Sequence, residues 1–398
     1  MAEAESRICD PISRKELERR WREVRALMPA LHLDALVVQG VSNQAGTAGY
    51  FRWFTGVSPF SSYAQTIVFP RNGLMTTIAH GAINGVNELD GDNPIAPGVG
   101  LQLFTPDFPA VAYCNGYQAE LAARDIAKHG YHRIGIVAAN NMYYGFGAKL
   151  KELLGNVEFV DATDLVDEIK SIKSPEEIDL IRRAAAMQDE IFERTRAHAK
   201  PGMKEFEVSA YSHYVGQLLG SQTGYFLCGA APVGKPVPYR LINQQARQIR
   251  EGDVMIWKAE NTGPGGMFVH IGRMFVFGKA PQELVDLHGK IVEAQDFTVR
   301  LLETHGPLPE LYAEYQAYMI KHGMQEERRV HCHGQGYDVV ERPLMRHDET
   351  MKLAANMNIG IHPAFGDNRM TATISDNYLL TDKGAEPLHK TPRQLFEL

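Results

Sequence analysis

Residues 169–178 read Ile169-Lys170-Ser171-Ile172-Lys173-Ser174-Pro175-Glu176-Glu177-Ile178, and how this stretch punctuates the chain decides the fold. Ser174 can cap a helix, Pro175 suits the first helical position, and Glu177, three residues after Ser174, completes a capping box. Ile178, Ile181 and Ala185 then form an apolar stripe at helical spacing. The pattern predicts a helix to about Ala199, stopped by Pro201-Gly202, and a second helix over about 204–220.

The two sides of this punctuation differ in texture. Upstream, helical runs alternate with apolar strand-like runs. Leu17, Trp21, Val24 and Leu27 mark a helix within 13–31, and residues 116–129 read as another. Ala35 to Val38, Thr66 to Phe69 and Ile134 to Val137 read as strands. This alternation predicts an α/β domain over 1–165. Downstream, strands at 254–257 and 267–278 flank a Gly-rich loop from Asn261 to Gly266, and helices are predicted near 281–303 and 308–322. Short strands return at Ile359 to His362, at Thr373-Ile374 and at Tyr378 to Leu380. Residues 166–398 therefore read as an α+β domain. The Gly-rich loop lacks both phosphate-binding signatures, G-x-G-x-x-G before a helix and G-x-x-x-x-G-K.

Composition narrows the classes. A chain of 398 residues with 44% apolar and 22% charged residues has ordinary globular chemistry. With 48 acidic against 41 basic side chains and a net charge of −7, it is not expected to bind nucleic acid. No apolar run is long enough for a membrane span, and the charged start MAEAESR lacks the apolar region of a secretory signal. Cys9, Cys114, Cys228 and Cys332 form no C-x-x-C pair and read as free thiols, which predicts a cytoplasmic location.

Taken together, several segments resemble the creatinase/prolidase/methionine-aminopeptidase superfamily, whose catalytic domain has the pita-bread fold. Residues 169–178 are similar to its linker and first helix, and Lys200 to Glu207 to the next helix start. Gly265-Gly266 through Arg273, His333-Gly334-Gln335-Gly336 and Thr381 to Glu386 resemble later segments in the same order. Tyr50 to Gly56 is similar to the extra amino-terminal domain of creatinase and prolidase. The resemblance implies a homodimer in which the partner's amino-terminal domain helps close each active site.

At the metal positions the chain departs from this pattern. The superfamily's peptidases hold two divalent ions with two Asp, one His and two Glu. Carried over by resemblance, the His is kept at His333. The second Asp position is His270, the first Glu position is His362 in Gly360-Ile361-His362-Pro363, and the last is Ser375. The first Asp position falls among Lys258, Ala259 and Glu260. A two-metal cluster lacks its bridging carboxylates here, so ordinary peptidase activity is not expected. Three imidazoles with an open position are instead a known catalytic arrangement for one divalent ion, zinc or iron. Three neutral ligands leave that ion its full charge, which favours a small anionic, carboxylate-bearing or phenolate substrate.

Around this trio, Glu260 and Glu341 are candidate proton-handling groups, and Lys258 a further catalytic candidate. Tyr239 and Arg240 lie where the superfamily has a substrate-facing His, and His331, two residues before His333, is expected on the same face of a strand. These three are the substrate-binding candidates. The leading expectation is hydrolysis of a non-peptide C–N bond at a mononuclear three-His site. A lyase breaking C–C or C–S bonds, a metal-free creatinase-like amidinohydrolase and a non-catalytic binding protein stay open.

Overall fold

In the computed structural model, residues 8–43, 46–47, 49–59, 62–303 and 305–398 are described. The start read above as no secretory signal, residues 1–7, lies outside them. The chain divides into two compact units, Met1–Lys170 and Ser171–Leu398.

Helices of the first unit are α1 (Arg14–Leu27), α2 (Gly49–Thr55), α3 (Tyr117–Lys128), α4 (Tyr144–Leu153) and α5 (Thr163–Lys170). Its strands are β1 (Ala35–Asn43), β2 (Gly46–Thr47), β3 (Ala64–Pro70), β4 (Met75–His80), β5 (Gly85–Glu88), β6 (Val99–Thr105), β7 (Arg133–Val137) and β8 (Glu158–Asp161). They form one mixed sheet in the order β5-β6-β4-β3-β1-β7-β8, with β2 on β1. Val37, Val68, Ile78 and Ile134 of the sheet bury against Ala119, Ala122 and Ile126 of α3 and Phe146 and Leu150 of α4. The alternation therefore does produce an α/β layer, with antiparallel pairs as well as parallel ones. The expected boundary at 165/166 falls inside α5, which packs against α1 and β7 of the first unit.

The second unit opens with α6 (Pro175–His198). Ser174 Oγ accepts from Glu177 N at 3.2 Å and Glu177 accepts from Ser174 N at 2.8 Å, so the capping box is closed in both directions. Helices α7 (Glu205–Leu218), α8 (Gln282–Glu303) and α9 (Leu308–Lys321) follow. The strands β9 (Gly224–Pro232), β10 (Asp253–Thr262), β11 (Phe268–Val276), β12 (Cys332–Gly334), β13 (Glu341–Leu344), β14 (Asn358–Ile361), β15 (Ala364–Gly366), β16 (Thr371–Thr373), β17 (Asp376–Thr381), β18 (Gly384–Pro387) and β19 (Leu395–Glu397) form two larger sheets and a two-stranded ribbon. One sheet runs β19-β11-β10-β9, the other β13-β12-β14-β17-β18.

Strand alternation sets the two faces of the first of these sheets. Met255, Trp257 and Ala259 of β10 and Ile271 and Phe275 of β11 bury against Ile191 and Phe192 of α6 and Val208 and Val215 of α7. Val254, Ile256, Met274 and Val276 face the other way, into a core shared with α8, α9 and Ile359, Ile361, Tyr378 and Leu380 of the second sheet. Each such large apolar side chain contributes about 1.5–3 kcal/mol on burial. Lys258, Glu260, His270 and Gly272 continue this second face toward the strand ends. The two sheets meet there, through a bridge between Gly272 and Ser375. Arg273, fully buried, holds the junction. It donates to Asp376 Oδ1 at 2.7 Å and to the carbonyls of Gly272, Ser375, Thr391 and Pro392. Among the described residues no helix is long and apolar enough to cross a membrane.

Candidate metal centre

Three strands converge on one cluster of imidazoles. His270 projects from β11, His333 from β12, and His362 follows β14 directly. One ring nitrogen from each lies within 4.8 Å of the others. The ring centroids are 5.1 to 5.5 Å apart. Register brings them together: β12 pairs with β14 so that His333 stands opposite Gly360.

Burial keeps all three rings neutral. It lowers His270 to about 3, with Lys258 the next cause, and it lowers His333 and, most strongly, His362. The neutral ring is the form that binds a metal. His333 Nδ1 lies 2.8 Å from the Gly334 carbonyl, which can only accept, so Nδ1 carries the proton and Nε2 the free lone pair. His270 is fully buried, and neither of its ring nitrogens makes a hydrogen bond of good geometry, the Glu260 carboxylate lying 3.4 Å from Nδ1. A buried polar group left unbonded is costly, and a cation shared by the trio would satisfy it. Gly360 makes the space: a Cβ there would lie 2.6 Å from His270 Cε1 and 2.7 Å from Nε2. Behind the ring, Asn377 Oδ1 accepts from His270 N at 2.8 Å. Its amide donates to Gln335 and Asn358 at 2.9 Å each.

These residues fit one ion. They do not fit the superfamily's carboxylate-bridged pair, because the described groupings of metal-binding side chains contain this trio without a carboxylate. Register also separates the three residues at the first Asp position, Lys258 and Glu260 sharing the face of His270. Glu260 stands opposite His270, while Ala259 turns into the other core. Glu260 Oε1 lies 3.4 Å from His270 Nδ1 and 2.7 Å from Lys258 Nζ. Burial pushes the Glu260 carboxyl up, but Lys258 and His270 outweigh it and hold it well below the carboxylate range. The Lys258 charge is thus matched within the site.

The remaining candidates are distributed unevenly. Tyr239 is near the trio. Its hydroxyl would lie 3.3 Å from a Cβ on Gly272, and burial pushes its pKa up to about 12. Ser375 Oγ packs against the same glycine, and neither hydroxyl makes a hydrogen bond of good geometry. Arg240 is not brought in. Its side chain is exposed and its backbone bridges to Cys228, away from the trio. His331 is packed rather than open to the site. The pairing of β12 with β14 reaches it, since His362 N donates to the His331 carbonyl at 2.7 Å. The His331 ring stacks on Tyr315 at 3.6 Å and meets Thr298 Oγ1 at 3.3 Å, between α9 and α8. Glu341 is committed elsewhere too, paired with Lys173 Nζ at 2.8 Å just before α6. Sequence reading passed over Arg329, which reaches toward the His362 carbonyl at 3.5 Å; its only signal was lying two residues before His331.

Residues 179–382, just over half of the chain, match metallopeptidase family M24. The chain belongs to that family. An Xaa-Pro dipeptidase of Pyrococcus horikoshii is 26% identical over 68% of this chain and 76% of its own length. An ectoine hydrolase of Halomonas elongata is 25% identical over 97% of this chain and 98% of its own. Among solved structures, a prolidase from Thermococcus sibiricus superposes with a TM-score of 0.77 at 20% identity, covering 96% of this chain and 99% of that one. An Xaa-Pro dipeptidase from Bacillus anthracis gives 0.73 at 18% identity, covering 96% and 100%. These likenesses establish the two-domain pita-bread architecture. Membership of M24 places the chain among hydrolytic enzymes that use divalent metals.

Proposed function

We propose that this M24 protein hydrolyses a C–N bond in a small, non-peptide, carboxylate-bearing molecule, with one divalent ion, zinc or iron, held by His270, His333 and His362. The observation that carries this reading is the convergence of three neutral imidazoles whose ring nitrogens lie within 4.8 Å of one another. Bound there, such an ion would act as a Lewis acid and lower the pKa of water. The protein's own groups have separable tasks. The His333 ring is oriented by the Gly334 carbonyl, while His270 is anchored at its backbone N–H by Asn377 and its ring has room beside Gly360. Glu260, kept ionised by Lys258, is a strong acceptor but a weak base, so we assign it the orientation of water and of His270 rather than the storage of a proton. Lys258 matches its charge, leaving the ion's positive charge uncompensated toward an anionic substrate.

The ectoine hydrolase likeness, spanning nearly all of both chains, supports a non-peptide substrate. The test is to incubate the purified protein with a panel of small amides, cyclic amidines and guanidino compounds, with and without a carboxylate, in ¹⁸O-labelled water. The reading expects turnover of a carboxylate-bearing member with one labelled oxygen in the product. Turnover of Xaa-Pro dipeptides alone, or product without label, contradicts it. Small-molecule chemistry of this kind fits a cytoplasmic homodimer, which sedimentation and fractionation would establish.

A further inference from the structure

The trio and the Lys258–Glu260 pair leave one question about the site: what holds the far end of the substrate. The side chain of Glu327 is almost fully buried and is fixed from three directions. Its backbone N donates to Gln316 Oε1 at 2.8 Å, its carbonyl accepts from Gln316 Nε2 at 3.1 Å, and its Oε2 accepts from Ala364 N at 2.9 Å. This anchored carboxylate grips Arg329 through Nε at 2.9 Å and Nη2 at 3.3 Å. The Arg329 side chain is nonetheless 51% exposed, and its Nη2 also approaches the His362 carbonyl at 3.5 Å. The guanidinium is therefore held in one place by its Nε and Nη2, half exposed, beside the backbone carbonyl of the third member of the trio. Its charge bears on both the His362 ring and the Tyr239 hydroxyl.

An arginine loosely tethered at a surface is ordinary. One clamped by a buried carboxylate, half exposed beside a candidate metal site, is pre-organised for a second carboxylate, because a planar fork offers paired donors at fixed spacing. We propose that Arg329 binds the carboxylate of the substrate at the rim of the three-histidine site, through the half-exposed guanidinium that Glu327 holds. Both cations are paired with a carboxylate, but Lys258 is enclosed with Glu260 whereas the Arg329 side chain stands half exposed. The inference rests on the carboxylate-bearing substrate proposed above and names the residue that selects it.

The test uses acetate as the probe and acetamide as its uncharged counterpart, with binding followed by NMR on the full chain. Wild type, Arg329→Gln, Arg329→Lys and His333→Ala are compared, each with and without added zinc. Acetate affinity is expected to fall about tenfold in Arg329→Gln and by less in Arg329→Lys, which keeps charge but loses the fork, with acetamide unmoved. Thermal melting checks that each variant folds; if Arg329→Gln does not, the wild-type to Arg329→Lys difference carries the result. Acetate binding that is unchanged in Arg329→Gln, lost only in His333→Ala, or missing in wild type overturns the proposal. A wild type that takes up no zinc, yet binds acetate in an Arg329-dependent way, sinks the metal reading and leaves this one standing.

Discussion

Replacing Gly360 by alanine isolates the positioning of His270, because it replaces no candidate ligand and acts only through the space beside that ring. The backbone there lies outside the left-handed region, so alanine meets no conformational penalty. The added Cβ would stand 2.6 Å from His270 Cε1 and 2.7 Å from Nε2. Non-bonded carbons rest about 3.5–4.0 Å apart, so the ring must retreat by about 1 Å. Overpacking of this kind costs about 1–3 kcal/mol, and loss of chain entropy in the unfolded state returns about 0.4–1 kcal/mol. The net loss of stability then lies anywhere from about 0 to about 2.6 kcal/mol, and stability alone does not decide the matter. Metal affinity does: displacing one of three ligands should weaken binding by about 10- to 100-fold, the range seen when ligand-orienting groups are removed. Zinc affinity is measured by competition with a chromophoric chelator at pH 7.5. Gly289→Ala, in α8 with nothing within 4 Å of the new Cβ, is the control and should bind as wild type does. Wild-type affinity in Gly360→Ala would refute the reasoning, since His270 would then not depend on the space that Gly360 leaves.

Three further outcomes follow from the same structure. Arg273→Met strips Asp376 of its buried partner and should destabilise the chain by about 3–5 kcal/mol in urea unfolding; a loss below about 1 kcal/mol contradicts the assigned role at the sheet junction. Ser174→Ala should cost about 1 kcal/mol through the lost cap, with metal affinity untouched, both read on one preparation. Burial lowers His270 and His331 to about 3 and His288 to about 4, against about 6.5 when unfolded. The unfolded state then binds more protons below about pH 6.5, so metal-free protein should lose stability as pH falls from there toward about 3 and be flat above, on this account. Equal urea midpoints at pH 7.5 and 5.5 would speak against neutral burial of these rings.

What the sequence made legible is what local rules govern. The capping box at Ser174, the strand around Trp257 and the order of the His segments all follow from short-range pattern, and the structure places them accordingly. His270, His333 and His362 could be grouped because the resemblance places each at one of the superfamily's metal positions, and the fold brings their rings together. The face of Glu260 needed strand register, since a slip of one residue exchanges it with Ala259. His331 is enclosed by Tyr315 and Thr298, a packing that strand alternation alone does not reveal. Arg240 and Glu341 were close in sequence to the right segments, but tertiary contacts drew them elsewhere, Glu341 to Lys173 across 168 residues of chain. The Asn377–Gln335–Asn358 amide cluster has no local signature, since it joins residues whose adjacency exists only after folding, and Glu327 and Arg329, two residues apart, are fixed in place only by the distant Gln316 and Ala364.

The measurement that bears most directly on the central claim is the metal content of freshly purified protein, by elemental analysis, beside His270→Ala, His333→Ala and His362→Ala. The account predicts about one divalent ion per chain in the wild type, and its loss in each of the three variants while the fold, read by circular dichroism, is kept. Two ions per chain, or a metal content indifferent to all three substitutions, would contradict it.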